Sequence, residues 1–103
     1  MRLMINFTIP LSAGNELVSS GKIGQNFNSL IEQFKPEASY FFAENGQRSG
    51  FMVIEMGDSS DLARVAESFW FGLQADISVT PVMNGEDLAK GLGDIDSVVK
   101  RYS

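Results

Sequence analysis

The chain has 103 residues, a net charge of −5, 44% apolar and 20% charged residues, and neither cysteine nor histidine. That length supports one domain with one core, and the composition excludes a disordered chain. Without cysteine or histidine there are no disulfides, thiolate metal sites, cysteine nucleophiles, His-dependent triads or HExxH zinc chemistry. The acidic balance speaks against nucleic acid and anionic membrane as partners.

Leu3, Ile5, Phe7 and Ile9 alternate with Met4, Asn6 and Thr8. A period of two predicts a strand, ended by Pro10. The segment LSAGN reads as a loop with Asn15 as helix N-cap. Over residues 16–34, Ile23, Phe27, Leu30, Ile31 and Phe34 keep helical spacing. Gly21 and Gly24 lie inside it, each costing about 1 kcal/mol against alanine, so a bend or break is expected within 19–24. Pro36 stops the helix. Strands follow over 37–44 and 48–57, joined by Asn45-Gly46. That pair suits a type I′ hairpin turn, which needs positive φ at both central residues.

Asp58, Ser59 and Ser60 offer N-caps for a second helix with the stripe Leu62, Val65, Ala66, Phe69 and Leu73. Trp70 and Phe71 near its end read as core filling. In 76–83, Ile77, Val79 and Pro81 alternate with Ser78, Thr80 and Val82. Pro81 has no N–H to donate, which places this strand at an edge. Asn84 with Asp87 resembles a capping box opening a third helix. Gly91 and Gly93 interrupt that helix, and Ile95, Val98, Val99 and Tyr102 suggest a final amphipathic segment.

The predicted order is β-α-β-β-α-β plus a C-terminal helix, the ferredoxin-like arrangement of an α+β domain. One domain spans 1–103, with 85–103 as a helical extension. The four-stranded antiparallel sheet carries both helices on one face. Leu3, Ile5, Phe7, Ile9, Met52, Ile54 and Met56 are assigned to that face. Met4, Phe51, Val53 and Glu55 go to the other. Strand two has two registers, and the one with Tyr40, Phe42 and Glu44 outward is preferred. The open face then carries an apolar patch, which marks an interface. A second copy packed sheet to sheet about a two-fold axis is the expected cover. The alternative is the C-terminal helix folding back.

Three segments carry a family resemblance: MRLMINFTIP, SGFMVIEMGDSSDLARVAESFWFGL and ISVTPVMNGEDLA. Phe7-Thr8-Ile9-Pro10, Gly50 to Glu55, and Val79 to Val82 match a W-T-I-P, G-F-x-x-x-E and V-T-P-V pattern. The chain resembles the dimeric α/β-barrel superfamily, and within it an uncharacterised bacterial family of small single-domain proteins. The resemblance implies the fold and a dimer. It departs before the hairpin, where the family often carries a G-R-W-H-like run. Here Phe42 stands near the aromatic position and Ala43 near the histidine. Superfamily relatives include cofactor-free monooxygenases, isomerases and ligand-sensing domains, and fold alone does not choose among them.

Asn6, Thr8, Tyr40, Phe42, Glu55, Ser78 and Thr80 are the candidate ligand-binding residues, gathered on the open face as polar groups in an apolar wall. Glu55 is the candidate base, if partly buried there. Tyr40 would position a substrate oxygen, and Arg48 would clamp a carboxylate or stand as a solvated edge charge. GNELVSSGKIG is not a phosphate loop, because the Gly14 to Gly21 spacing is too long and Ile23 follows Lys22. No metal or cofactor is expected. With no segment of ~20 apolar residues and no signal-peptide pattern, the expected location is cytoplasmic. The expected function is a homodimer binding a small, mostly apolar ligand, between helices and sheet or between the sheets. A cofactor-free monooxygenase or isomerase using Glu55, Asn6 and Tyr40 is the alternative. A third reading is an interaction module working through Phe71 and the C-terminal helix.

Overall fold

A computed structural model describes residues 1–103. The first strand, β1 (Arg2–Ile9), alternates strictly between buried and half-buried residues. Pro10 ends it but does not lead into a loop. Helix α1 (Leu11–Ser19) begins at once, with Pro10 as N-cap residue. The expectation of a loop at LSAGN capped by Asn15 is therefore corrected. Gly14 explains the difference: a Cβ there would stand 2.7 Å from Arg48 Nη1 and 3.3 Å from Ile9 Cγ2. Its missing side chain lets α1 close onto the sheet, and Arg48 Nη1 donates to Asn15 Oδ1 at 3.1 Å.

The expected break falls at Gly21, whose φ of 75° few other residues adopt without strain. Helix α2 (Lys22–Phe34) follows, then β2 (Ala38–Glu44). Asn45 (φ 53°) and Gly46 (φ 73°) form the hairpin turn as expected. Strand β3 (Gln47–Glu55), helix α3 (Asp61–Leu73) and strand β4 (Asp76–Pro81) complete the domain. The sheet order is β2-β3-β1-β4, antiparallel throughout. This α+β architecture is compatible with a ferredoxin-like fold. Pro81 lies on the edge strand β4, where a missing N–H costs no ladder bond.

The core lies between the sheet and the helices. Leu3, Ile5, Phe7 and Ile9 from β1 meet Met52 and Ile54 from β3. Leu17, Leu30, Val65, Phe69 and Leu73 cover them from the helices. Helices α2 and α3 lie side by side, and two contacts tie them along their length, with the Arg64 guanidinium over the Phe34 ring as a third. Phe34 stacks on Phe69 with ring centroids 6.4 Å apart, and Asn26 Nδ2 donates to the Gly72 carbonyl at 2.7 Å. The second contact satisfies one of the free carbonyls that end every helix. Trp70 and Phe71 do not fill the core. They are 47% and 81% exposed, since both point away from the stripe Val65, Ala66, Phe69 and Leu73.

Asn84 opens α4 (Gly85–Leu92) with a complete capping box. Asp87 N–H donates to Asn84 Oδ1 at 2.8 Å, and Asn84 N–H donates to Asp87 Oδ2 at 3.0 Å. Helix α5 (Ile95–Tyr102) follows after Gly93. Neither helix has a buried residue. The chain measures 58 × 28 × 20 Å, with a radius of gyration of 17.1 Å. A compact chain of this length has about 13 Å. The C-terminal helices therefore form an arm and do not fold back over the open face. No helix is long and apolar enough to cross a membrane.

Candidate functional site

Cross-strand rows divide the sheet into two surfaces. On the open side, Ser78, Asn6, Phe51 and Tyr40 form one row across β4, β1, β3 and β2. Asp76, Thr8, Ser49 and Phe42 form the next, and Thr80, Met4, Val53 and Ala38 lie on the other flank. The preferred register of strand two is the observed one. Tyr40 and Phe42 stand on either side of Phe51, with centroids 5.4 and 6.5 Å from its ring. Six of the predicted site residues thus share one surface: Asn6, Thr8, Tyr40, Phe42, Ser78 and Thr80.

Glu55 sits apart from them, at the end of β3 opposite Arg2. Its side chain is 68% exposed, and Oε1 accepts from the N-terminal ammonium at 2.7 Å. The expected partial burial of Glu55 is not found within the chain, because Glu55 ends β3 on the face that no helix covers. Phe51 separates Asn6 from Tyr40 in their row. Nothing in this geometry points Glu55, Asn6 and Tyr40 at one reacting atom.

The best-formed concavity is on the helix side of the hairpin and has a volume of about 760 Å³. Ile23, Phe27 and Ile31 of α2 form one wall. Phe7, Ile9 and Leu11 form the floor, and the β2 segment of Phe41, Phe42 and Ala43 forms the opposite wall, with the Phe42 ring turned to the open side beside Phe51. The polar groups are few: Asn28, Gln47, Arg48 and Ser49. Gly24 and Gly46 leave space at the two rims. The lining is mostly apolar with few polar groups. Of the predicted site residues, only Phe42 lines it.

Arg48 is the one cation in that wall. It is half-buried, donates to Asn15, and has no carboxylate partner among the ion pairs of the chain. The aromatic wall is preassembled: Phe27 meets Phe41 edge to face at 5.0 Å and Phe7 at 5.9 Å. The sequence carries a signal for this wall that core assignment hides. Ile23, Phe27 and Ile31 repeat at i, i+4 and i+8, one strip over from the Leu30 and Phe34 strip that meets the core. An apolar stripe that wide exceeds what one contact can cover, and Ile31 is left 39% exposed.

A second groove of about 650 Å³ runs between α3 and β4, lined by Leu62, Ala66, Trp70, Ile77 and Val79. No group of three or more Asp and Glu residues gathers at metal-binding distance.

The fold and this site define a small α+β protein with a four-stranded antiparallel sheet and an apolar pocket beside its hairpin. The family model for a domain of unknown function, DUF3303, matches residues 1–95, and the chain belongs to that family. The comparison with curated proteins found no match.

Proposed function

We propose that this protein is a ferredoxin-like homodimer of the dimeric α/β-barrel type. Each subunit binds a small, mostly apolar molecule with one anionic or acceptor end in the pocket between α2 and the hairpin. The observation that carries the ligand reading is the unpaired Arg48 guanidinium in a wall otherwise made of Phe27, Ile31, Phe41 and their neighbours. Guanidinium groups hold carboxylates through two parallel N–H donors, and an apolar wall favours the rest of such a ligand through lost water contact. The dimer reading is supported by the aromatic trio Tyr40, Phe51 and Phe42 on a sheet face that no helix covers. Packing that face against its own copy keeps the trio from water.

Titration with decanoate, followed by NMR of the isoleucine methyls and phenylalanine rings, tests the pocket. Ile23, Ile31, Phe27 and Phe41 are expected to shift saturably. Arg48→Gln should weaken binding about tenfold, the loss of roughly 1.4 kcal/mol expected for a charged hydrogen bond. Ile31→Glu, at an exposed position, should abolish binding with the fold intact. Shifts that do not saturate at millimolar decanoate would reject the pocket.

A further inference from the structure

The arm formed by α4 and α5 has an apolar seam and nothing to press it against. Leu88, Leu92, Ile95, Val99 and Tyr102 follow one another at intervals of four, three, four and three. That is the spacing of a helix-packing seam, and it continues across the break at Gly93. All five are between 44% and 81% exposed. The base of the arm is fixed. Asp87 is clamped by the Asn84 box and by Arg2, which also holds Glu37. Arg2 stands opposite Glu55 in the β1–β3 register, on the open side of the sheet with Met4 and Asn6. The arm thus starts where a facing second sheet would lie, and each of its two helices adds about 12 Å at ~1.5 Å per residue.

We infer that the arm crosses to a second copy of this chain and lays its seam along the margin of the partner's β2. It rests on the two-fold assembly proposed above and adds an exchange of arms to it. β2 is an edge strand, and its open-side rings Tyr40 and Phe42, at the margin of the facing sheets, are 63% and 42% exposed. A long apolar edge of this kind invites aggregation unless something covers it. Charge fits as well. Lys100 and Arg101 end the arm without a carboxylate partner, and Glu44 ends β2 without a cation. Area is sufficient. At roughly 100 Å² per apolar side chain, two exchanged arms and the surfaces they cover exceed the ~1,200 Å² of a stable interface.

The test uses the full chain in two forms. In the first, a benzophenone amino acid replaces Val99, and irradiation is followed by mass spectrometry of the cross-linked peptides. The expected product is a covalent dimer joined between the arm and the partner's residues 38–51. In the second, native mass spectrometry across a dilution series compares the unaltered chain with the Leu92→Asp, Val99→Asp double variant. Neither residue is buried, so the domain should fold, as circular dichroism would verify. The variant dimer should dissociate at a concentration at least about a hundredfold higher. A cross-link within one chain, or only between arms, overturns the exchange. So does an unchanged dimer in the variant, although the sheet-to-sheet dimer then stands. A strict monomer in the unaltered chain overturns both readings.

Discussion

The rings of Phe7 and Phe41 lie 6.2 Å apart across Gly50, which occupies the sheet position between them. The two phenylalanines come from strands that are not neighbours, and they meet because the strand between them has no side chain there. A Cβ on Gly50 would stand 2.5 Å from Phe7 Cζ and 2.6 Å from the Tyr40 carbonyl oxygen. Gly50→Ala should therefore force Phe7 off its rotamer and cost about 1–3 kcal/mol. Thermal unfolding would read this as a fall of roughly 4–8 °C per kcal/mol. An unchanged melting temperature would mean that the wall gives way freely.

Phe69 is fully buried, with its ring 5.7 Å from Phe7 and 6.4 Å from Phe34. It joins α3 to both the sheet and α2. Phe69→Ala should cost about 3–5 kcal/mol, a large share of the total stability of a small domain. Urea unfolding should show a lower midpoint, with the slope retained if unfolding stays two-state.

Gln74 follows α3 with φ 51° and ψ 37°, a left-handed conformation held by a residue that has a Cβ. Its side chain is exposed. Glycine there removes a strain of roughly 1–2 kcal/mol and gives back part of it as unfolded-chain entropy. Gln74→Gly should stabilise the protein by about 0.5 kcal/mol. A lower midpoint in the same urea experiment would show that the Gln74 side chain contributes more than its backbone costs.

The Asn84 N–H that Asp87 accepts, and after it the Arg2 guanidinium, hold the Asp87 carboxyl below its ordinary value against partial desolvation. The folded state therefore binds that proton less tightly than the unfolded chain does. The stabilisation is fully present above about pH 4, the unfolded value, and fades as pH falls through the folded one. The Cα chemical shifts of residues 85–92 should lose helical character over that acid range. In Asp87→Asn they should be less helical at pH 7 and respond less to acid. Identical acid titrations in both proteins would mean that another group controls α4.

Alternation made the sheet legible. Leu3, Ile5, Phe7 and Ile9 fixed the buried face of β1, and Glu55 set the register of β3, because period two allows only two faces. The Asn45-Gly46 turn and the Asn84–Asp87 box were legible because each is a local interaction with its own residue chemistry. Helix α1 was not. Its start depends on Gly14 sliding under Arg48, a contact between residues far apart in sequence. The pocket was hidden for a related reason. Helical spacing says that Ile23, Phe27 and Ile31 share a strip, but only the placement of Phe41 on the hairpin decides whether that strip is covered. Trp70 and Phe71 misled because aromatic residues beside a core stripe look like part of it.

Trp70 is the sole tryptophan of the chain, and it stands half out of the α3–β4 groove. Its indole already meets water in the folded protein, so its emission is expected toward the red before any denaturant is added. Intrinsic fluorescence at this position reports what lies in that groove, and a blue shift on titration would signal an arriving neighbour without any dye or label.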